Sequence, residues 1–119
     1  MLLLLKMEKW PMPYANMPWV RAGQVVTVAG ERIYIDTAAW LVWLDTVSSF
    51  CYSSPAHLYR LTLRREKRRQ QSYWYAYCKI DAKLHNVYVG KTAQLTQARL
   101  EQACRQLSLK ATREVLMKK

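Results

Sequence analysis

The apolar positions of this chain follow two different periods. Between Leu58 and Lys91 they alternate. Tyr59, Leu61 and Leu63 are separated by Arg60 and Thr62 and followed by Arg64. Trp74, Ala76, Cys78 and Ile80 are separated by Tyr75, Tyr77 and Lys79, and Val87 and Val89 by Tyr88. A period of two belongs to strands with one buried face, so three strands are predicted here, the second and third joined by a tight turn at Asp81-Ala82-Lys83. From Leu100 the period lengthens: Leu100, Ala103, Cys104 and Leu107 recur at i, i+3, i+4 and i+7. That is a helical stripe suited to the apolar side of the sheet. Gly90 ends the third strand and Thr96 is the expected N-cap of the helix.

The first half of the chain repeats the theme in smaller pieces. The segments 25–28 and 32–35 flank Ala29-Gly30-Glu31 and read as a hairpin with glycine in its turn. Asp36 or Thr37 then caps a helix over 38–47 whose Trp40, Trp43, Leu44 and Val47 form a core stripe. Residues 49–52 read as a short strand, and Ser53-Ser54-Pro55 as a break. The order is β-β-α-β followed by β-β-β-α. It predicts the α+β class, with a small antiparallel sheet (three-stranded meander plus N-terminal hairpin) packed against two helices. Residues 1–23, with Pro11, Pro13 and Pro18, are expected to be extended or flexible. Residues 24–108 form a single α+β domain, and 109–119 a basic tail or helix extension. The apolar run Met1–Leu5 stops at Lys6, too short for a membrane span or a secretory core.

Charge sharpens this picture. The chain of 119 residues carries a formal charge of +11. Residues 1–57 hold four basic groups (Lys6, Lys9, Arg21, Arg32) and four acidic ones (Glu8, Glu31, Asp36, Asp45), so the whole excess lies in residues 58–119. A potential concentrated on one half of a small domain attracts polyanions. Nucleic acid is the expected partner, duplex DNA first, and no membrane is. Cys51, Cys78 and Cys104 have no metal-ligand spacing; they read as small core hydrophobes in a reducing, cytoplasmic setting.

If the three strands form a meander, Arg60, Arg64, Tyr73, Tyr75, Tyr77, Lys79, Asn86 and Tyr88 share one surface. The run Arg64-Arg65-Glu66-Lys67-Arg68-Arg69 leads into the turn before it, with Lys83 and Lys91 at the rims. Arginine forks, lysines and tyrosine hydroxyls grip phosphate, and Asn86 is suited to base edges. A three-stranded sheet of this kind can lie in the major groove of DNA. The tyrosines could instead stack unpaired bases of RNA or single-stranded DNA, although the aromatic-glycine signatures of the common RNA-binding sheets are missing. A third arrangement has Trp40 and Trp43 covering Tyr73, Tyr75 and Tyr77, which leaves Arg60 and the loop groups for binding. Charge alone also allows an adaptor that docks on an acidic protein or a larger protein machine. No glycine-rich phosphate loop, carboxylate cluster or nucleophilic triplet is present, so neither an enzyme nor a cofactor is expected. His85 reads as an exposed strand residue.

The succession Ala39-Trp40-Leu41, Trp43-Leu44, Ser49-Phe50, Thr62, Arg65-Glu66, Tyr73-Trp74-Tyr75-Ala76-Tyr77, Tyr88-Val89-Gly90-Lys91, Leu95-Thr96 and Arg99-Leu100-Glu101 resembles a small bacterial module. That module occurs as stand-alone proteins and as an N-terminal extension of large LuxR-type transcriptional activators. The chain departs from its pattern twice: Cys78 stands where an arginine is usual, and Ala82-Lys83-Leu84 where Gly-Lys-Leu is usual. In arrangement, three strands followed by a helix, the basic half is also similar to the arm-type DNA-binding domain of phage integrases, whose sheet enters the major groove. The resemblance bears on the fold; the basic sheet itself leads to the expectation of a small DNA-binding protein, a transcriptional regulator, an accessory factor of a mobile element or an adaptor that links DNA to a larger machine.

Overall fold

The alternating segments come together in one sheet. The computed structural model describes residues 17–55 and 60–117, and among these there are seven strands and two α-helices. The strands are β1 (Trp19–Arg21), β2 (Gln24–Val26), β3 (Arg32–Tyr34), β4 (Ser49–Ser53), β5 (Arg60–Arg68), β6 (Gln71–Ile80) and β7 (Lys83–Gly90). Helix α1 (Ala38–Leu44) connects β3 to β4. A 3₁₀ turn (Thr92–Gln94) and helix α2 (Gln97–Met117) follow β7. Across the sheet the order is β3-β2-β1-β4-β5-β6-β7, antiparallel throughout except for the parallel pair β1 and β4. The class is α+β, with the expected meander and hairpin joined into a single sheet.

The sheet begins before residue 24. Trp19-Val20-Arg21 lies between β2 and β4, with Val20 fully buried. It is joined to β2 by Ala22 and Gly23 at φ +51° and +74°, the left-handed pair that a two-residue hairpin turn uses. The apolar run at residues 1–5, Pro11, Pro13, His57, Tyr59, Lys118 and Lys119 lie outside the described residues.

Thr37 caps α1: its Oγ1 accepts the Trp40 N–H at 3.2 Å. The helix stops a turn before Val47 because its last carbonyls are taken by shorter-range donors. Asp45 N donates to Val42 O, Thr46 N to Trp43 O, and the Thr46 hydroxyl to the same Trp43 oxygen at 2.7 Å. Thr96 starts α2 by accepting the Arg99 N–H at 3.1 Å, and the helix continues through residues 109–117.

Both helices lie on the same side of the sheet. Trp40 and Trp43 from α1 pack with Phe50 of β4, which in turn meets Trp74 of β6, at ring separations of 5.4 to 5.7 Å. Leu100, Ala103, Cys104 and Leu107 of α2 are buried in the same cluster with Leu61, Leu63, Ala76 and Ile80. Two indole N–H groups fasten the segment between β7 and α2: Trp40 Nε1 donates to Leu95 O at 2.7 Å, and Trp74 Nε1 to Thr92 Oγ1 at 3.0 Å. His85 is buried, not exposed as the sequence suggests. It stands opposite Cys78 and shares the inward parity of Val87. No described helix is long and apolar enough to cross a membrane.

Candidate nucleic-acid interface

The second face of the sheet is set by register. Arg64 stands opposite Tyr75, Thr62 opposite Tyr77 and Glu66 opposite Tyr73; across β6, Tyr75 meets Tyr88, Tyr77 meets Asn86 and Lys79 meets Leu84. Directly paired residues share a face. Arg60, Arg64, Arg68, Tyr73, Tyr75, Tyr77, Lys79, Asn86 and Tyr88 therefore lie together on the side away from both helices, as the alternation predicts. The arrangement in which Trp40 and Trp43 cover the tyrosines is excluded, because those indoles pack on Phe50 on the opposite side.

Towards β1 this face is closed. Cys51 has the outward parity of Thr62 but is fully buried, with its Sγ 3.4 Å from Met17 Sδ. Beside it the Trp19 ring meets two guanidinium groups, Arg21 at 4.1 Å and Arg60 at 4.9 Å. The open part of the face is thus the part built by β5, β6 and β7.

There the tyrosines and arginines form one connected system. Arg68 lies 4.9 Å from the centre of the Tyr75 ring, and Arg64 5.9 Å from that of Tyr77. Tyr88 meets Tyr75 edge-on at 5.6 Å and Tyr73 at 5.9 Å. A single carboxylate, Glu66, organises the centre: it accepts from Arg68 at 2.8 Å and from the Tyr77 hydroxyl. The Arg68 guanidinium, and next the Tyr77 hydroxyl, hold Glu66 below the usual carboxylate range; the same hydrogen bond, with some burial, pushes Tyr77 up. Arg68 is thereby aimed along the sheet instead of ranging freely.

A two-stranded ribbon extends this sheet at one end. β4 pairs with β5 only as far as Arg64, and β7 pairs with β6 only as far as Trp74. Residues 66–73 therefore pair only with each other: Glu66 with Tyr73, Lys67 with Ser72, Arg68 with Gln71. Three such pairs extend about 10 Å. The tip is Arg69-Gln70, with Arg69 at φ +60°. Lys91, exposed and directly after Gly90, sits at the same end of the sheet.

Two basic residues expected at the interface have other positions. Arg65 has inward parity. Its guanidinium lies over Trp74 at 5.7 Å, donates to Leu44 O at 3.4 Å and reaches Asp45 at 4.0 Å, so it holds the end of α1 against the sheet. Lys83 also points to the helix side and pairs with Glu114 of α2 at 2.7 Å. Charge density alone assigns both to the interface, because it ignores the parity of the strand. Lys67 shares that parity, but beyond the helices, where it is exposed on the ribbon. Sequence reasoning passes over Trp19 and Arg21, whose signal is the alternation Trp19-Val20-Arg21 followed by a glycine turn, and gives Glu66 no role of its own. Comparison with protein families, curated proteins and solved structures finds no match to this chain.

Proposed function

We propose that this chain is a small nucleic-acid-binding protein that docks duplex DNA on the open face of β5, β6 and β7, with the 66–73 ribbon entering the major groove. The observation that carries the reading is the ribbon itself. A two-stranded β-ribbon fits the major groove, and this one leads with Lys67, Arg68 and Arg69. Arg60, Arg64 and Lys79 behind it are exposed on the sheet face and would take phosphates. Tyrosine hydroxyls and Asn86 then supply contacts to backbone and base edges. A transcriptional regulator or a mobile-element accessory factor would use this chemistry.

The test is fluorescence anisotropy of the purified chain with random duplex DNA across a salt series. Neutralising six phosphates gives a slope of log affinity against log salt near about −5. Changing Arg64, Arg68 and Arg69 together to Ala should reduce its magnitude by about 2.7, roughly 0.9 for each phosphate no longer neutralised. No binding to duplex DNA at low salt, or a slope that the triple variant leaves unchanged, would overturn the proposal.

A further inference from the structure

Alongside the ribbon lies a shallow, open concavity of about 580 Å³, lined by Lys67, Arg68, Arg69, Tyr73, Tyr75 and Tyr88. Its lining is mixed, three phenol rings and three cations, with Arg68 lying over the Tyr75 ring. We propose that this concavity receives an unpaired nucleobase, so that the favoured ligand is DNA in which a duplex adjoins a single strand. This rests on the duplex reading above and adds to it.

Three observations support the assignment. First, the rings do not stack flat on one another: Tyr75 and Tyr88 meet at 67° and Tyr73 and Tyr88 at 57°. Flat ring surface is therefore left for a planar guest. Second, the Arg68 guanidinium already lies over Tyr75 and is fixed there by Glu66 at 2.8 Å. A base can stack on a guanidinium plane as well as on a ring, so the cation extends the platform. Third, Tyr88 is 47 % exposed and no described element covers it. Core packing does not account for an aromatic cluster left open in this way.

Bases inside a duplex present only their edges, whereas an unpaired base presents its π face. The rings and the ribbon thus suit different parts of one substrate. With the ribbon in a major groove, Arg69 at its tip is placed to hold a phosphate flanking a base seated against Tyr73, Tyr75 and Tyr88.

The experiment compares the full chain on a blunt duplex and on the same duplex with a short single-stranded overhang, with 2-aminopurine at the first unpaired position. The overhang DNA should bind about tenfold more tightly, equivalent to about 1.4 kcal/mol, and 2-aminopurine fluorescence should be quenched on binding. Tyr75→Leu and Tyr88→Leu keep apolar bulk in the strands but remove the π surface. Each should bring the overhang-to-blunt affinity ratio down to about one and abolish the quenching, with thermal melts verifying that the variants fold. Equal affinity for the two DNAs, or a ratio and quenching that survive both substitutions, overturns the base-pocket inference while leaving duplex binding intact. No binding to either DNA overturns the duplex reading as well.

Discussion

Gly90 is the position where one added methyl group should cost most for its size. It sits opposite Trp74 at the end of β7 with φ +141°, a conformation that side chains rarely adopt and that costs about 1–3 kcal/mol. A Cβ built there would stand 2.3 Å from Gln94 Oε1 and 3.0 Å from Gln94 Cδ. That side chain would have to swing away and release the Lys91 N–H it accepts at 2.8 Å, a further loss of about 0.5–1.5 kcal/mol. The stiffer unfolded chain returns about 0.4–1 kcal/mol. Gly90→Ala should therefore destabilise by about 2 kcal/mol, a fall in melting temperature of roughly 10 °C for a domain of this size. Urea titration of the single variants and of Gly90→Ala with Gln94→Ala separates the two causes. In the Gln94→Ala background the glycine change should cost about 1 kcal/mol less, because the hydrogen bond is already gone and the contacts with Oε1 and Cδ are removed, leaving the 3.1 Å approach to the residue 94 Cβ. A cost under about 0.5 kcal/mol for Gly90→Ala would refute the conformational argument, and the same cost in both backgrounds would refute the role of Gln94.

Other positions yield further expectations. Asp81 and Ala82 form a two-residue turn at φ +53° and +65°, a geometry that favours glycine second. Ala82→Gly should stabilise by about 0.5–1 kcal/mol, the left-handed cost of an alanine less the entropy cost of a glycine; a lower urea midpoint would refute this. Burial, then Glu101, raises Tyr52, and the same two causes push Cys104 up to about 12. Groups raised in the folded state contribute stability that is complete below their unfolded values, about 8.5 for cysteine and 10 for tyrosine, and lost as pH rises through the folded ones. Denaturation midpoints should decline from about pH 9 upward, by at most about 1.4 kcal/mol per unit for each group, and a flat profile to about pH 11 would contradict the assignment. Arg99 donates to Tyr88 O at 2.6 Å and Val89 O at 3.0 Å, and Lys110 donates to Asn86 O at 3.0 Å. These side chains occupy the carbonyls of β7, the last strand of the sheet. Arg99→Ala with Lys110→Ala should expose that edge and promote association, visible by sedimentation velocity; an unchanged sedimentation coefficient at all concentrations would reject the protective role.

The strands and helices of the basic half were legible because period two and period 3.6 are written there without interruption. Thr96, Gly90 and the Leu100 stripe are found where the pattern puts them. Parity within β6 likewise identified the tyrosine face. What the pattern missed is non-local. A three-residue strand such as Trp19–Arg21 carries too little alternation to stand out, and its place beside β4 depends on a parallel pairing across some thirty residues of chain. The charge run at residues 64–69 reads as a loop when charge is counted, yet most of it is a strand in which parity divides Arg64 and Arg68 from Arg65. Where β5 outruns β4, and so where a ribbon begins, is a matter of relative strand length that no single segment records.

Why both helices chose one face follows from what each face would demand of a cover. Covering the outer side would desolvate Arg60, Arg64, Glu66, Arg68 and Lys79 beneath stripes made of Trp40, Trp43, Leu44, Leu100 and Leu107. None of those side chains offers the cations a hydrogen-bond acceptor in place of the water removed, and taking charged groups out of water without that compensation costs several kcal/mol. The inner side offers Phe50, Leu61, Leu63, Trp74, Ala76 and Ile80, where the same stripes gain by burial. The exclusion is chemically selective. An apolar helix cannot replace the water around a guanidinium, but a phosphate can, with a charge-assisted hydrogen bond. The same charges that keep the chain's own helices off the tyrosine face therefore favour the proposed polyanion there. Glu66 is the exception that tests this: it neutralises Arg68 at the centre of the site, so Glu66→Gln should tighten duplex DNA binding and steepen its salt dependence by removing a like charge that the phosphates must approach. Weaker binding by that variant would mean that holding Arg68 in place matters more than the charge it carries.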